Sequence, residues 1–295
     1  MLPTFIIFLR EGIEASMIVS ILLAFLDASG QRRYFKDIII GVALALGLAT
    51  GGGVALYFTI QSYDGSNVQT IFETFTYIFA VVLLTFMTFW MQAHAKTIAH
   101  DLRTKTERIL STGQRFEIAG LSFQAVGREG LETVIFTLAI MFTTTDKSSA
   151  FFGAVLGLAA SLLIALLIYK FGRKINMRVL FGVVGGLLLI FAAALVSDTV
   201  ENLQQLNWVP FLKEQLWNTT SFLNESSALG DIFHSFLGYA QTPTYGQAIS
   251  QILFLVVAGS IFLKKGGFLN YKPKNDASRN SLQPSKVSED LTHQV

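Results

Sequence analysis

The sequence Arg-Glu-Gly-x-Glu occurs twice, at residues 10–14 and 128–132, each time inside a long apolar segment. Successive residues of an α-helix are about 100° apart, so the arginine and both glutamates of one copy fall within roughly a quarter of a turn. Gly12 and Gly130 lie between the charges and remove a side chain, which lets another helix or a hydrated ion come close. An uncompensated charge at the bilayer centre costs roughly 2.5–3.5 kcal/mol on insertion scales. We therefore expect both charged faces to point into the protein and toward each other.

The two copies together hold four carboxylates and two guanidinium groups, so pairing leaves about two negative charges over unless burial protonates them. Carboxylate oxygens are hard ligands, suited to Mg²⁺, Ca²⁺, Mn²⁺ and ferric iron. The sequence has no cysteine, and no histidine falls in a predicted spanning segment, so Cu(I) and zinc are poor candidates. The pattern predicts a cation site with ligands Glu11, Glu14, Glu129 and Glu132 and supporting residues Arg10 and Arg128. A purely structural alternative has the arginines pair with glutamates and tie the two halves together.

The elements that carry these motifs are predicted to cross a membrane. Charged residues make up 14% of the 295 residues, whereas soluble domains carry about 25%. Seven segments have roughly the 20 apolar residues that a spanning helix needs, namely 3–27, 37–60, 70–92, 119–142, 149–170, 179–201 and 246–263. The predicted fold class is an all-α membrane protein with seven transmembrane helices.

Lysine and arginine indicate how these helices are oriented. Basic clusters follow the first, third, fifth and seventh segments, whereas the opposite connections carry only Lys147 and Lys213. Because basic residues favour cytoplasmic connections, the N-terminus is predicted outside and the C-terminus inside. The basic loops follow the topology, so no nucleic-acid partner is expected.

Similarities between segments predict an internal repeat. The charged motifs stand on the first and fourth segments, which run in opposite directions. The second and fifth segments each carry a glycine pair, Gly47/Gly51 and Gly153/Gly157, expected to allow close helix packing. The third and sixth share Leu-Leu-x-Phe. We predict a 3+3 inverted repeat plus a seventh helix, with the binding site where the halves meet.

The predicted organisation is a first repeat at 1–93, a basic cytoplasmic linker at 94–118, a second repeat at 119–201, an extracytoplasmic loop at 202–245, a seventh helix at 246–265 and a disordered cytoplasmic tail at 266–295. Within the loop, residues 207–223 hold two tryptophans and several apolar residues, and predict a short amphipathic helix on the membrane surface.

Further polar residues are secondary candidates. Glu73, Asp198 and Glu201 are predicted near the outer face, where they could receive a cation, although solvated interfacial acids are an alternative. His94 and His100 on the inner linker could accept a departing metal, but an amphipathic connection explains them as well. His234, in the outer loop, is expected to be solvated.

Two such motifs on the first and fourth helices of a seven-helix, N-outside chain resemble the oxidase-dependent iron permeases of yeast and bacteria. The resemblance covers residues 1–265. It implies iron uptake across the plasma or bacterial inner membrane, with Fe²⁺ oxidised outside and carried as Fe³⁺. By motif match, the four glutamates would bind iron as transported substrate, with no permanently bound cofactor. It also implies a separate extracytoplasmic oxidase (a multicopper enzyme or a haem peroxidase) and in some cases a periplasmic iron-binding protein.

Two other functions stay open. One is a transporter of another hard cation, or a proton-coupled carrier in which the glutamates relay protons. The other is a membrane-embedded di-iron enzyme, which typically combines glutamates with Glu-x-x-His pairs. None of the four histidines has that spacing relative to the motif glutamates, so an enzyme is disfavoured.

Overall fold

The computed structural model describes residues 1–63, 65–94, 98–112, 115–171, 177–225 and 227–265. These residues form nine α-helices: α1 (Leu2–Ala28), α2 (Phe35–Gln61), α3 (Asn67–His94), α4 (Ile98–Thr112), α5 (Arg115–Thr143), α6 (Lys147–Phe171), α7 (Met177–Gln205), α8 (Ala228–Leu237) and α9 (Tyr245–Lys265). A 3-10 turn at Arg32–Tyr34 precedes α2. The predicted disordered tail at 266–295 lies outside the described residues.

Within the described residues, five helices are long and apolar enough to cross a membrane: α2, α3, α6, α7 and α9. The two others of similar length, α1 and α5, each carry the three charges of one motif copy, which lowers their apolar character. Within its apolar stretch α7 is 61% buried, against 22–28% for the other four. Thus α7 is the central apolar helix, and the others expose aliphatic and aromatic side chains suited to lipid. The all-α membrane fold is confirmed, while the count of seven spans and their orientation stay predictions.

The long helices pack as crossed pairs. The main partners are α1 with α6, α2 with α5, and α3 with α7, and α1 also crosses α5. Exchanging α1 with α5, α2 with α6 and α3 with α7 turns the α1–α6 pair into the α2–α5 pair. The same exchange leaves the α3–α7 and α1–α5 contacts unchanged. This is the packing expected of two intertwined three-helix units. The inverted repeat itself stays a prediction.

Glycines allow the closest helix contacts, although not all of those that the sequence suggested. A Cβ at Gly12 of α1 would collide with Ser161 of α6, and one at Gly157 of α6 would lie 2.6 Å from the carbonyl oxygen of Phe5. On the other crossed pair, a Cβ at Gly130 of α5 would lie 2.9 Å from Ala49 Cβ of α2. These approaches bring the backbones of the motif helices against their neighbours.

The expectation for the glycine pair in the second segment is wrong. Nothing lies within 4 Å of a Cβ built at Gly47 or Gly51. The close approaches of α2 occur instead at Gly41, against Ala119 and Ser122, and at Gly53, against Val134. Positions 41 and 53 are twelve residues apart and share a face with Ala45 and Ala49, whereas Gly47 points elsewhere. The spacing of Gly47 and Gly51 therefore does not identify the face of α2 that packs against α5.

The predicted amphipathic helix at 207–223 is also wrong. The described chain there consists of turns and extended segments, and Asn207 and Leu212 adopt left-handed φ values of 57° and 56°. Such residues, together with Pro210, interrupt helical geometry. The helix in this part of the chain is α8, which begins five residues beyond the predicted segment. The Ser227 side chain caps its start by accepting from Gly230 N–H, and Gly238 ends it at φ 67°.

Smaller boundary differences concern the connections. The linker predicted at 94–118 contains the 15-residue helix α4, and α5 begins within it, at Arg115. The helix of the second repeat that was predicted to end at 201 continues as α7 to Gln205. These extensions add turns outside the apolar stretches, where hydropathy gives no signal.

Candidate metal centre

The two charged motifs meet where α1 crosses α5. Glu11, Glu14 and Glu129 each offer one carboxylate oxygen, and these oxygens lie within 4.8 Å of one another. Their residues are only 4%, 3% and 6% exposed. In the described part of the chain this is the one group of three metal-ligating side chains gathered so closely. We call it the carboxylate cluster.

Each motif helix packs closely against a neighbouring helix at the glycine of its motif. Gly12, between the two α1 glutamates, faces Ser161 of α6, and Gly130, between the two α5 glutamates, faces Ala49 of α2. In each motif the glycine therefore packs against a neighbouring helix, and the charged residues point into the interior. Because i and i+3 side chains of a helix point the same way, Glu11 and Glu14 reach the cluster together.

Arg10 is enclosed with the glutamates of its own helix. Its residue is 3% exposed, its Nη1 donates to Glu11 Oε1 at 2.9 Å, and its Nε lies 2.9 Å from Glu14 Oε1. One guanidinium group therefore holds both α1 carboxylates.

Arg128 has different surroundings. Its Nε donates to Glu132 Oε1 at 3.0 Å, its guanidinium carbon lies 5.1 Å from the centre of the Trp90 ring, and its Nη2 contacts Met87 Sδ at 2.7 Å. The side chain is 44% exposed. Among the described residues, each of the three ion pairs of the motifs joins residues of one helix. These ion pairs do not join α1 to α5, and the structural alternative in which the arginines tie the two halves together stays a prediction beside the cation site.

Several carboxylate oxygens in the centre have no protein partner. Glu11 Oε2, Glu129 Oε2 and Glu132 Oε2 are buried without a hydrogen bond. A buried polar atom left unpaired costs about 1–3 kcal/mol, and more when it is charged. A cation bound between these oxygens would remove that cost. Glu132 was predicted as a fourth ligand; it is 5% exposed and paired with Arg128, and it is not a member of the close group of three.

A cavity of about 290 Å³ reaches the cluster from the side of α4. Glu14 and Glu129 line it, together with Arg128, Trp90 and Lys105. We call it the α4 cavity. His100 is exposed on α4 and does not line this cavity, and the side chain of His94 lies outside the described residues.

A second cavity of about 550 Å³ lies beside α8. Glu73, Asp198 and Glu201, the three acids predicted near the outer face, all line it. Asp198 is 7% exposed, and its Oδ2 is buried without a hydrogen bond. We call it the α8 cavity.

The sequence interpretation missed two residues of the α8 cavity, Glu225 and His234. His234 was expected to be solvated, which is wrong: it is half-buried, and a ring nitrogen lies 2.9 Å from the carbonyl oxygen of Tyr239. Burial by itself lowers the pKa of His234, but Asp198, the hydrogen bond to Tyr239, Glu225 and Glu201 together raise the pKa above its ordinary value. The one available signal was a histidine within the otherwise largely apolar sequence of α8.

The two cavities are separated by apolar side chains. Along α3, Tyr77 lines the α8 cavity, Leu84 belongs to a buried cluster and Trp90 lines the α4 cavity. Along α5 the same order is Phe142, Phe136 and Glu129. Leu84 and Phe136 are fully buried and pack in one cluster with Phe191 of α7. The carboxylate cluster is thus open toward α4 and closed toward α8.

Comparison with known proteins decides the family. The profile of the iron permease FTR1 family matches residues 1–265. The chain belongs to this family. The predicted family is confirmed, and with it a multi-pass membrane transporter of the plasma or bacterial inner membrane rather than a family of enzymes.

Two curated relatives of this iron permease family member illustrate the similarity. The ferrous iron permease EfeU of Yersinia pestis is 28% identical over 264 residues, 89% of this chain and 93% of its own length. The protein of the same name from an Escherichia coli O6:K15:H31 strain is 29% identical over 260 residues, 88% of this chain and 94% of its own length. No solved structure matches the chain.

Proposed function

We propose that this protein imports iron across the plasma or bacterial inner membrane, and that the carboxylate cluster holds the ion during passage. The observation that carries the proposal is the approach of three buried glutamates from two helices to within 4.8 Å. An all-oxygen, negatively charged site suits a hard, highly charged ion such as Fe³⁺. Family membership and the name of the EfeU relatives support iron as the substrate.

In this proposal Glu132 joins Glu11, Glu14 and Glu129 once the ion is present. Its Oε2 is buried and unpaired, so a small movement of the Arg128–Glu132 pair would supply a further oxygen ligand. Arg10, which contacts both Glu11 and Glu14, orients the two α1 carboxylates. The arginines also limit the net negative charge, which favours release of the ion.

We propose alternating access between the two cavities. The α8 side faces outward and the α4 side faces the cytoplasm, as the positions of the basic residues predict. The cluster lies against the α4 cavity with buried apolar residues between it and the α8 cavity, which is the arrangement expected of an inward-open state. Transport then requires rearrangement of the α1–α6 and α2–α5 pairs around the cluster.

The α8 cavity would receive iron through Asp198, Glu201 and Glu73. An extracytoplasmic oxidase, a multicopper enzyme or a haem peroxidase, would supply Fe³⁺ there, with a periplasmic iron-binding protein as a further candidate partner. The word ferrous in the relatives' names then describes the ion taken from the medium, and Fe³⁺ the ion that reaches the cluster. Family resemblance supports this scheme.

Isosteric replacement of single cluster residues tests the proposal. We expect Glu14→Gln and Glu129→Gln each to reduce iron uptake to background while the protein remains folded in the membrane, because each removes a charged ligand oxygen without changing shape. Glu107→Gln, at an exposed position of α4, is the matched control and should transport normally. Radioactive iron uptake into cells or proteoliposomes measures the effect. Full uptake by either cluster variant would overturn the proposal.

The second candidate is transport of another hard cation. The four glutamates and two arginines of the motif contain no ligand that prefers iron to Mn²⁺ or Mg²⁺. Competition in proteoliposomes separates the two: if Mn²⁺ or Mg²⁺ competes as well as iron, this alternative replaces the leading one. No histidine belongs to the close group in the described residues, so a di-iron enzyme has no supporting observation.

A further inference from the structure

The α8 cavity contains a ligand type that the carboxylate cluster lacks. Beside the acids Glu73, Asp198 and Glu201, its lining includes the imidazole of His234 and the carboxylate of Glu225. Glu225 and His234 come from the segment before α8 and from α8 itself, and the other acids come from α3 and α7. Three parts of the chain that are distant in sequence thus direct metal-ligating groups at one space.

The histidine is oriented by the backbone. His234 Nδ1 lies 2.9 Å from the carbonyl oxygen of Tyr239, which accepts, so the nitrogen must carry a proton and donate it. In the neutral ring Nε2 then holds the free lone pair. A ligating histidine typically donates its other ring N–H to a carbonyl or carboxylate in this way, which fixes the tautomer and the ring plane.

Hydrogen bonds also orient two of the acids, whereas one oxygen of a third acid has no hydrogen-bond partner. Glu201 Oε2 accepts from Gln247 Nε2 at 2.8 Å, and Glu225 Oε1 accepts from the backbone N–H of Gln241. Asp198 is more than nine-tenths buried, lines the cavity, and keeps Oδ2 without a hydrogen bond. This unpaired oxygen is an independent sign that the cavity takes a ligand, because most buried polar atoms in folded proteins have a hydrogen-bond partner.

We propose that His234 and Glu225 complete, with Asp198 and Glu201, a mixed nitrogen–oxygen site for a first-row transition-metal ion, here the iron that enters through the α8 cavity. The site deepens the proposed function and rests on it: it would select the metal before the ion reaches the carboxylate cluster. Imidazole binds iron and its neighbours in the first transition series, whereas Mg²⁺ and Ca²⁺ prefer oxygen alone. These groups are gathered less closely than the three cluster glutamates, so the ion keeps some water and exchanges readily.

Co²⁺ binding to the full chain in lipid nanodiscs, purified without a histidine tag, tests the site. We expect the wild-type protein to bind Co²⁺ at the α8 cavity and at the cluster, and His234→Gln or Glu225→Gln to weaken the first by about tenfold or more. His100→Gln and Glu214→Gln change an exposed histidine and an exposed glutamate outside both cavities and should bind as the wild type does. If His234→Gln binds like His100→Gln, the inference is wrong.

Selectivity in the wild-type protein is a second test that needs no variant. About a hundredfold excess of Ca²⁺ or Mg²⁺ should leave Co²⁺ at the site that contains His234, because those ions gain little from imidazole. Displacement of all bound Co²⁺ would overturn the inference. Glu14→Gln separates this failure from failure of the proposed function: it should lose Co²⁺ at the cluster and keep the His234-dependent site.

Discussion

Arg10 and Arg128 occupy the same position in the two motif copies but have different tasks. Arg10 is enclosed and holds Glu11 and Glu14 at once. Within the described part of the chain, Arg128 forms its one ion pair with Glu132 and extends over Trp90 into the α4 cavity. A planar guanidinium serves two carboxylates in a fixed geometry, which the ammonium of lysine cannot reproduce. We therefore expect the environments of the two arginines, rather than the motif, to decide which substitution does more damage.

This difference gives a prediction at the residue scale. We expect Arg10→Lys to reduce iron uptake severely and to lower the thermal stability of the detergent-solubilised protein, because lysine keeps the charge but cannot hold both buried carboxylates in the same geometry. Arg128→Lys should have the smaller effect on stability, since its side chain is 44% exposed and solvent replaces lost contacts. Melting curves read by intrinsic fluorescence, with uptake assays beside them, make the comparison. Equal losses of stability in both variants would contradict it.

At the scale of elements, the crossed pairs bring the two motifs together. Packing of α1 on α6 and of α5 on α2 leaves α1 and α5 facing each other across the cluster. Close approach requires glycine at the crossing, and a side chain there forces the helices apart. The position of the carboxylates therefore depends on residues that carry no charge.

We expect Gly12→Ala to lower both the melting temperature and iron uptake, because its Cβ would collide with Ser161. The double variant Gly12→Ala/Ser161→Gly should recover, since it removes the colliding atoms. Gly47→Ala is the control: nothing lies within 4 Å of its Cβ, and alanine favours a helix over glycine by roughly 1 kcal/mol. Thermal melts of the three purified proteins would decide, and a harmless Gly12→Ala would refute the packing argument.

At the scale of the whole molecule, the two cavities and the apolar cluster between them correspond to one state of the alternating-access cycle that we propose. The absence of cysteine from the sequence allows single cysteines to report on each compartment. Gln124 lines the α4 cavity and Thr242 the α8 cavity, whereas Leu84 is fully buried in the cluster that separates them.

A membrane-impermeant thiol reagent should label Gln124→Cys from the cytoplasmic side only and Thr242→Cys from the outer side only. Leu84→Cys should react slowly from either side, because the cluster excludes the reagent in this state. Labelling of right-side-out and inside-out vesicles, followed by mass spectrometry, measures all three. Labelling of Gln124→Cys from outside alone would reverse the proposed orientation.

The amino-acid sequence alone determined the all-helical membrane fold, the family and the faces of α1 and α5 that carry charge. It also predicted that the acids Glu73, Asp198 and Glu201 lie near one another. The family follows from a resemblance carried by the two motifs, and the other features follow from apolar segment length and helical periodicity, which are local properties of the chain. The wrong predictions have local causes as well. Hydropathy could not show that left-handed residues interrupt a helix at 207–223, or that α2 packs through Gly41 and Gly53 rather than Gly47.

Only the tertiary structure decided which groups share a space. It brought Glu129 of α5 to Glu11 and Glu14, kept the ion pairs within each motif helix, and placed His234 and Glu225 beside Asp198. Such contacts join residues far apart in sequence, and they result from how whole helices cross. A helical period states which way a side chain points, but the identity of the group it meets depends on packing that no local pattern records.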